Sequence, residues 1–420
     1  MTEAEIYGGG LGQRFMHVRK RSVALCAPLS AEDMMVQSLP EASPVKWHLA
    51  HTTWFFESFV LRPFFNGYRV FEESFSWLFN SYYQSFSNFP DKRLRASFSR
   101  PSHSDVMRYR EHVDEAVQRL LASETAHTTV AERIELGLHH EEQHQELILT
   151  DILHAFATNP LRPVYVPEPL PEAEQIAAPL WFVEFSGGLK EIGAESGFSF
   201  DNERPRHRVW LEPYRLASRL TTVAEYADFI ADGGYRRAEL WLSAGWDKAQ
   251  SKGWQAPLYW RQQDGEWHIF TLRDEMRLPQ IAATPVAHVS YYEADAFARW
   301  AGKRLATEAE WETAAAPLAA QGNLLESGRL RTAVAGSDGL AQMFGDCWQW
   351  TASAYLPYPG FKPLEGALGE YNGKFMSGQM ILRGGSCATP VEHIRASYRN
   401  FFAPETRWQF AGIRLAETIL

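Results

Sequence analysis

Cysteine is scarce: Cys26, Cys347 and Cys387 are the only three in 420 residues. None is spaced as C-x-x-C, and three cannot build a disulfide framework, so a reducing cytoplasm is the expected setting. Long apolar runs are missing as well. No stretch of about 18 apolar residues occurs, which excludes a membrane-spanning helix. The stretch Met1 to Gly12 is polar and Gly-rich, without the apolar core of a signal peptide. There is no long basic run either. With 41 Lys and Arg against 51 Asp and Glu, the formal net charge is −10, a poor match to nucleic acid or an anionic membrane. Tandem repeats and low-complexity tracts are also absent.

Aromatic residues are plentiful, at 15 Trp, 16 Tyr and 26 Phe. Many lie among Gly and Arg in the C-terminal half, a texture that suits a loop-rich domain pinned by large rings. The length exceeds what one ordinary core organises and predicts two domains. Residues 1–160 read as a four-helix bundle. Ser30 and Asp33 form a capping pair for one helix, which Pro40 breaks. Ser43-Pro44 starts a second, running from Val45 to Leu61 and stopped by Pro63. Helices are expected from Ser104 to Ala122 and from Thr129 to Ala157, with an irregular connection from Arg62 to Pro101. Residues 161–180 carry Pro163, Pro167, Pro169, Pro171 and Pro179, a linker composition. Residues 181–420 read as α+β, with helices expected from Tyr291 to Ala301 and after an N-cap at Thr307.

One cluster of residue types carries chemistry. His140 and His144 lie four apart in His140-Glu141-Glu142-Gln143-His144, so both imidazoles share a helix face and can reach one metal. His51, on the second helix, completes a three-histidine set if it faces inward, and three neutral ligands leave up to three positions open on a six-coordinate iron. His48 and His139 compete for these roles, although His139 is turned about 100° from His140. Two other readings stand beside this one. His140-Glu141-x-x-His144 fits the zinc-hydrolase pattern H-E-x-x-H, with the glutamate as general base. The chain also reads as a lectin-like binding module joined to an inert bundle.

The two halves together resemble a known family. Trp47-His48-Leu49-Ala50-His51 and the His140–His144 segment are similar to the iron motifs of DinB-like helical bundles. Several segments resemble the formylglycine-generating-enzyme fold, a C-type-lectin-like scaffold: Asp201 to Pro205, Gly302 to Trp311, Gly345 to Thr351, Arg383 to Ser386 and Gly412 to Arg414. That order of domains resembles the ergothioneine-biosynthesis sulfoxide synthases, the hercynine oxygenases. No cysteine follows Cys387, so the paired-cysteine chemistry of formylglycine-generating enzymes is not expected.

The resemblance implies Fe(II) on His51, His140 and His144, with dioxygen and hercynine, the trimethylated betaine of histidine, as substrates. It implies that Gln143 hydrogen-bonds the hercynine imidazole and that Asn400, Phe401 and Phe402 hold its tail. An aromatic wall attracts a quaternary ammonium. It also implies that Tyr82 or Tyr83 supplies a proton during oxygen reduction, and it offers Tyr355 and Tyr358, from the segment where another branch of the family carries its active-site tyrosine, as further candidates. All these rings also read as ordinary core packing. The chain departs from the family after Tyr83. The segment Gln84 to Phe98 lacks the expected basic, Pro-rich run, and Gln349 stands where a glutamate is usual. This leaves the second substrate open between cysteine or γ-glutamylcysteine and a selenosugar, the donor of the related selenoneine synthase. Arg93 and Arg95 suit a carboxylate-bearing donor. Gln84, Ser85, Ser87 and Asn88, interleaved with Phe86 and Phe89, suit a sugar.

Overall fold

Every third or fourth residue from Gly12 is turned inward, through Phe15, Val18, Ser22 and Cys26, which is the signature of one helix face. That helix is α1, Glu3–Cys26, in a computed structural model that describes residues 3–84, 86, 88–123, 128–168, 170, 176–337 and 339–419. It takes the place of the helix expected after Ser30. The Ser30–Asp33 cap does form, with the Asp33 amide donating to Ser30 Oγ at 3.1 Å, but it closes only a 3-10 turn at Asp33–Met35. The second helix, α2, is Val45–Phe56 and begins directly after Pro44. It runs on through a π turn at Glu57–Leu61 and a last turn at Arg62–Phe64, so Pro63 lies within its end. A Ser102–Asp105 capping box opens α3, His103–Leu121, and α4 is Thr128–Thr158.

The chain divides into two compact units, Met1–Tyr165 with Leu364–Tyr371, and Val166–Pro363 with Asn372–Leu420. In the first, α1 packs on α3 and α4, and α2 packs on the same two helices. The α2–α4 crossing is tight at Gly137. A Cβ there would lie 2.5 Å from the Phe56 ring and 3.1 Å from the Phe55 ring. Gly137→Ala should therefore destabilise the protein by about 1–3 kcal/mol, because the overpacking outweighs the helix propensity gained by alanine. Chemical denaturation checks this, and a variant of equal or greater stability would refute the close crossing.

The second unit is built on short strands. One sheet has the order β1–β2–β8–β3, all antiparallel, with β1 Phe182–Phe185, β2 Tyr214–Ala217, β3 Arg304–Leu305 and β8 Leu415–Thr418. A second has the order β6–β5–β4–β7, with β4 Trp348–Ala354, β5 Met380–Arg383, β6 Asn400–Phe402 and β7 Ala411–Gly412. Capping boxes at Ser290 and Thr307 open α5, Tyr291–Trp300, and α6, Glu308–Ala315. Gln349 is fully buried on β4. Its Oε1 accepts from Trp311 at 2.8 Å and Arg414 at 2.7 Å, and its Nε2 donates to the Met343 carbonyl at 2.9 Å. Gln349 is thus a node of this unit's core. Among the described residues, no helix is long and apolar enough to cross a membrane. All three cysteines are free and buried.

Candidate metal centre

On α4 the four-residue spacing stacks His140 and His144 on one face, and α2 brings His51 against them. One ring nitrogen from each lies within 4.8 Å of those of the other two. Ring centroids are 5.0 Å apart for His51–His140, 4.8 Å for His51–His144 and 4.6 Å for His140–His144. All three side chains are buried. Burial, reinforced by the neighbouring imidazoles, holds His51 and His144 well below the ordinary histidine range. Burial also brings His140 down to about 3. All three rings are therefore neutral at physiological pH and keep a lone pair for a ligand.

Neighbours fix how the rings are presented. His51 is sandwiched between Trp47, at 4.4 Å and 12°, and Trp54, at 5.4 Å and 15°. Its Nδ1 donates to the Phe79 carbonyl at 2.6 Å, which leaves Nε2 as the bare nitrogen. Nδ1 of His144 lies 2.8 Å from Nδ1 of His48, whose Nε2 is 3.1 Å from Asp151 Oδ2. Burial moves His48 down too, against the opposing pull of Asp151. Among the described residues, the buried His140 Nδ1 has no hydrogen-bond partner. Three buried, neutral imidazoles with converging lone pairs and no carboxylate among them fit a divalent transition metal better than they fit a packed core, where such lone pairs would stay unpaired.

Glu141 faces elsewhere. It accepts from Arg19 at 2.8 Å, Arg110 at 2.9 Å and Ser22 at 2.6 Å. Burial alone would push its carboxyl up, but Arg19, Arg110 and Ser22 hold it down at about 2. A carboxylate bound this way cannot serve as the general base of an H-E-x-x-H hydrolase. His139 points away from the set, 3.0 Å from Arg14 and 3.1 Å from Glu142.

Tyr82 and Tyr83 stack at 4.6 Å, and Trp54 is in ring contact with both Tyr83 and His51. Tyr83 is fully buried. Burial and the nearby Tyr82 and Tyr371 phenols raise it well above the usual tyrosine range, so it stays protonated. Tyr371 was not among the sequence candidates. Its hydroxyl donates to Gln143 Oε1, and its ring lies 5.6 Å from that of His140. Gly-Glu-Tyr-Asn-Gly reads locally as a turn, and only the grouping of Leu364–Tyr371 with the helices reveals it.

Both arginines are engaged by side chains of the helical unit. Arg95 is buried, its guanidinium 3.5 Å from the centre of the Trp47 ring, and it donates to Ser43 Oγ at 2.8 Å. It braces the Trp47–His51 stack. Arg93 is 73% exposed and paired with Asp91 at 2.6 Å. Ser85 and Ser87 lie outside the described residues, as do Pro169 and Pro171 of the expected linker.

In the second unit, Phe401 stacks on Tyr355 at 4.1 Å and 9°, and lies 5.9 Å from Phe375. Phe402 meets Trp408 at 6.3 Å. The Asn400 amide oxygen accepts from the Phe401 amide at 2.9 Å, so its NH2 is the end able to donate. The Tyr355 hydroxyl accepts from Asn202 at 3.0 Å, and Tyr358 lies under Arg399 at 3.9 Å, which binds Glu308. Both phenols are therefore tied into the polar core of their own unit.

The DinB superfamily model matches residues 14–148, and the sulfatase-modifying factor enzyme 1-like domain matches 171–333 and 334–419. The chain is 38% identical to the hercynine oxygenase of Mycobacterium tuberculosis, over 53% of this chain and 57% of that protein. It is 35% identical to the hercynine oxygenase of Mycolicibacterium smegmatis, over 68% of this chain and 71% of that one. A formylglycine-generating enzyme of Streptomyces coelicolor is 31% identical over 49% of this chain and 77% of its own length. The match thus spans little more than half of the M. tuberculosis relative and about seven-tenths of the M. smegmatis one. With a DinB-type helical half and a sulfatase-modifying-factor half in that order, the chain belongs to the hercynine oxygenase family, the sulfoxide synthases of ergothioneine biosynthesis.

Proposed function

We propose that this chain is a non-haem iron oxidoreductase that uses dioxygen to join a sulfur or selenium donor to the imidazole C2 of hercynine. The observation that carries this reading is the buried set of three neutral histidines within a chain of the hercynine oxygenase family. With a thiol donor, loss of the imidazole C–H and the S–H supplies two hydrogens to water. One oxygen atom leaves in that water and the other stays on sulfur, so the four electrons taken up by dioxygen balance carbon–sulfur bond formation plus sulfoxidation.

His51, His140 and His144 would hold the iron, which when bound supplies the redox chemistry of oxygen reduction. Trp47 and Trp54 keep the His51 ring from rotating. Gln143, hydrogen-bonded by Tyr371, offers an amide for the hercynine imidazole. On β6, Asn400 offers an NH2 to the substrate carboxylate, and Phe401 and Phe402 offer aromatic faces to its trimethylammonium. Tyr83 keeps its proton until the reaction demands one, the property required of a general acid.

Two results are expected. Phe401→Leu should weaken hercynine binding by about 2–30-fold, the equivalent of roughly 0.5–2 kcal/mol of cation–π attraction, while histidine binding barely changes. Calorimetry with both ligands checks this, and an equal loss for both would remove the aromatic site. Tyr83→Phe should lower the coupled product while iron content and hercynine affinity hold, because a proton donor acts on turnover rather than on ground-state binding. Full coupling in both Tyr82→Phe and Tyr83→Phe would reduce these rings to packing residues.

A further inference from the structure

The geometry points to His48 and Asp151 as positioning residues that set the tautomer of His144 through a two-step relay. The inference rests on the reading of His51, His140 and His144 as a metal set. His48 lies on α2, three residues before His51, and Asp151 lies on α4, seven residues after His144, so both fall on the faces that carry the ligands. Asp151 Oδ2 accepts from the Ser43 amide at 2.8 Å and lies 3.1 Å from His48 Nε2. Arg95 and Lys92 add positive charge beside the carboxylate.

The direction of each bond follows from what the groups can do. A carboxylate only accepts, so His48 carries its proton on Nε2. The Nδ1 of a neutral His48 is then bare and can only accept, so His144, 2.8 Å away, must donate from its own Nδ1. That places the His144 lone pair on Nε2, as the Phe79 carbonyl does for His51. Two of the three histidines are thus locked in the same tautomer by acceptors outside the set, whereas the buried His140 Nδ1 has no partner among the described residues. His48, despite lying among the ligands, acts through His144 and does not itself hold the metal.

The test uses Co(II) as the probe on the full chain, with affinity measured by chelator competition. His48→Leu removes the acceptor and should weaken Co(II) binding by about 10–100-fold, the usual effect of losing such a partner. His48→Gln keeps an amide oxygen that can accept from His144 and should stay close to the native affinity. Both should still bind one Co(II) at saturation with an unshifted visible spectrum. Native affinity in His48→Leu, equal loss in both variants, or a changed Co(II) spectrum would each overturn the relay. Long-range proton–nitrogen spectra of the histidine-labelled native protein supply a readout free of any variant. They should place the proton on Nδ1 of His144 and Nε2 of His48, and the reverse tautomers would overturn the proposal. Native protein that took up no Co(II) would instead sink the metal reading, while the tautomer spectra would still decide the relay.

Discussion

His140→Ala and His144→Ala should each lose the metal at stoichiometric loading, and the coupled product with it. Structural zinc sites with four ligands bind with roughly 10–16 kcal/mol, so one ligand contributes about 3 kcal/mol or more, at least ~100-fold in affinity. A metal that binds only the folded chain raises its melting temperature. Native protein should therefore gain thermal stability on anaerobic addition of Fe(II), and neither variant should. The helix itself should survive, because α4 is anchored elsewhere by Ile134, Leu138, Ile148, Leu149 and Ile152, all buried. Metal analysis and melting curves decide the matter, and unchanged iron in both variants would remove His140 and His144 from the ligand set.

Glu141→Gln should have a large effect of another kind. Glu141 is the anion of a buried cluster in which Arg19 also binds Asp114 at 2.7 Å and Arg110 binds the Leu49 carbonyl at 3.0 Å. Removing one charge from a buried network leaves its partner uncompensated and costs about 3–5 kcal/mol. The expected result is a markedly less stable protein that still binds metal when kept cold. The same carboxyl gives an acid signature. It is held at about 2 in the fold against an ordinary 4.5, so its contribution is complete above 4.5 and declines as pH falls toward 2. That contribution is on the order of 3 kcal/mol. Native stability should fall across this window more steeply than that of the variant. A Glu141→Gln protein of native stability that had lost a peptidase activity would restore the H-E-x-x-H hydrolase reading.

How much of this could be read from the sequence varied with how local the signal was. His140 and His144 were legible because helical spacing alone places them together, and α3, α4, α5 and the Thr307 cap follow from periodicity and capping chemistry within a few residues. The first helix was obscured by Gly8, Gly9 and Gly10, whose low helix propensity masks the inward stripe that begins at Gly12. Arg95 looked like a ligand for an anionic donor because a guanidinium in a polar loop suggests one. Its stacking on Trp47 depends on a contact across 48 positions that no local pattern encodes. Tyr371 and the His48–Asp151 pair were hidden for the same reason, since each acquires meaning only from a partner on another element. Gln349 shows the reverse case. A substitution within a motif suggested altered chemistry, yet its side chain is spent on Trp311, Arg414 and a backbone carbonyl.

The most direct test of the central claim is a single competition assay. Native protein loaded with Fe(II) is given hercynine, air and an equal mixture of cysteine, γ-glutamylcysteine and a 1-seleno sugar, and the products are identified by mass with an anaerobic control alongside. The account predicts a hercynine adduct joined at imidazole C2 through sulfur or selenium, formed only with oxygen and absent from the His144→Ala protein. A selenium adduct in preference to both thiols would place the chain in the selenoneine branch, and a sulfoxide alone would place it in ergothioneine synthesis. Recovery of unmodified hercynine from the iron-loaded, aerated native protein, with no adduct to any of the three donors, would contradict the account.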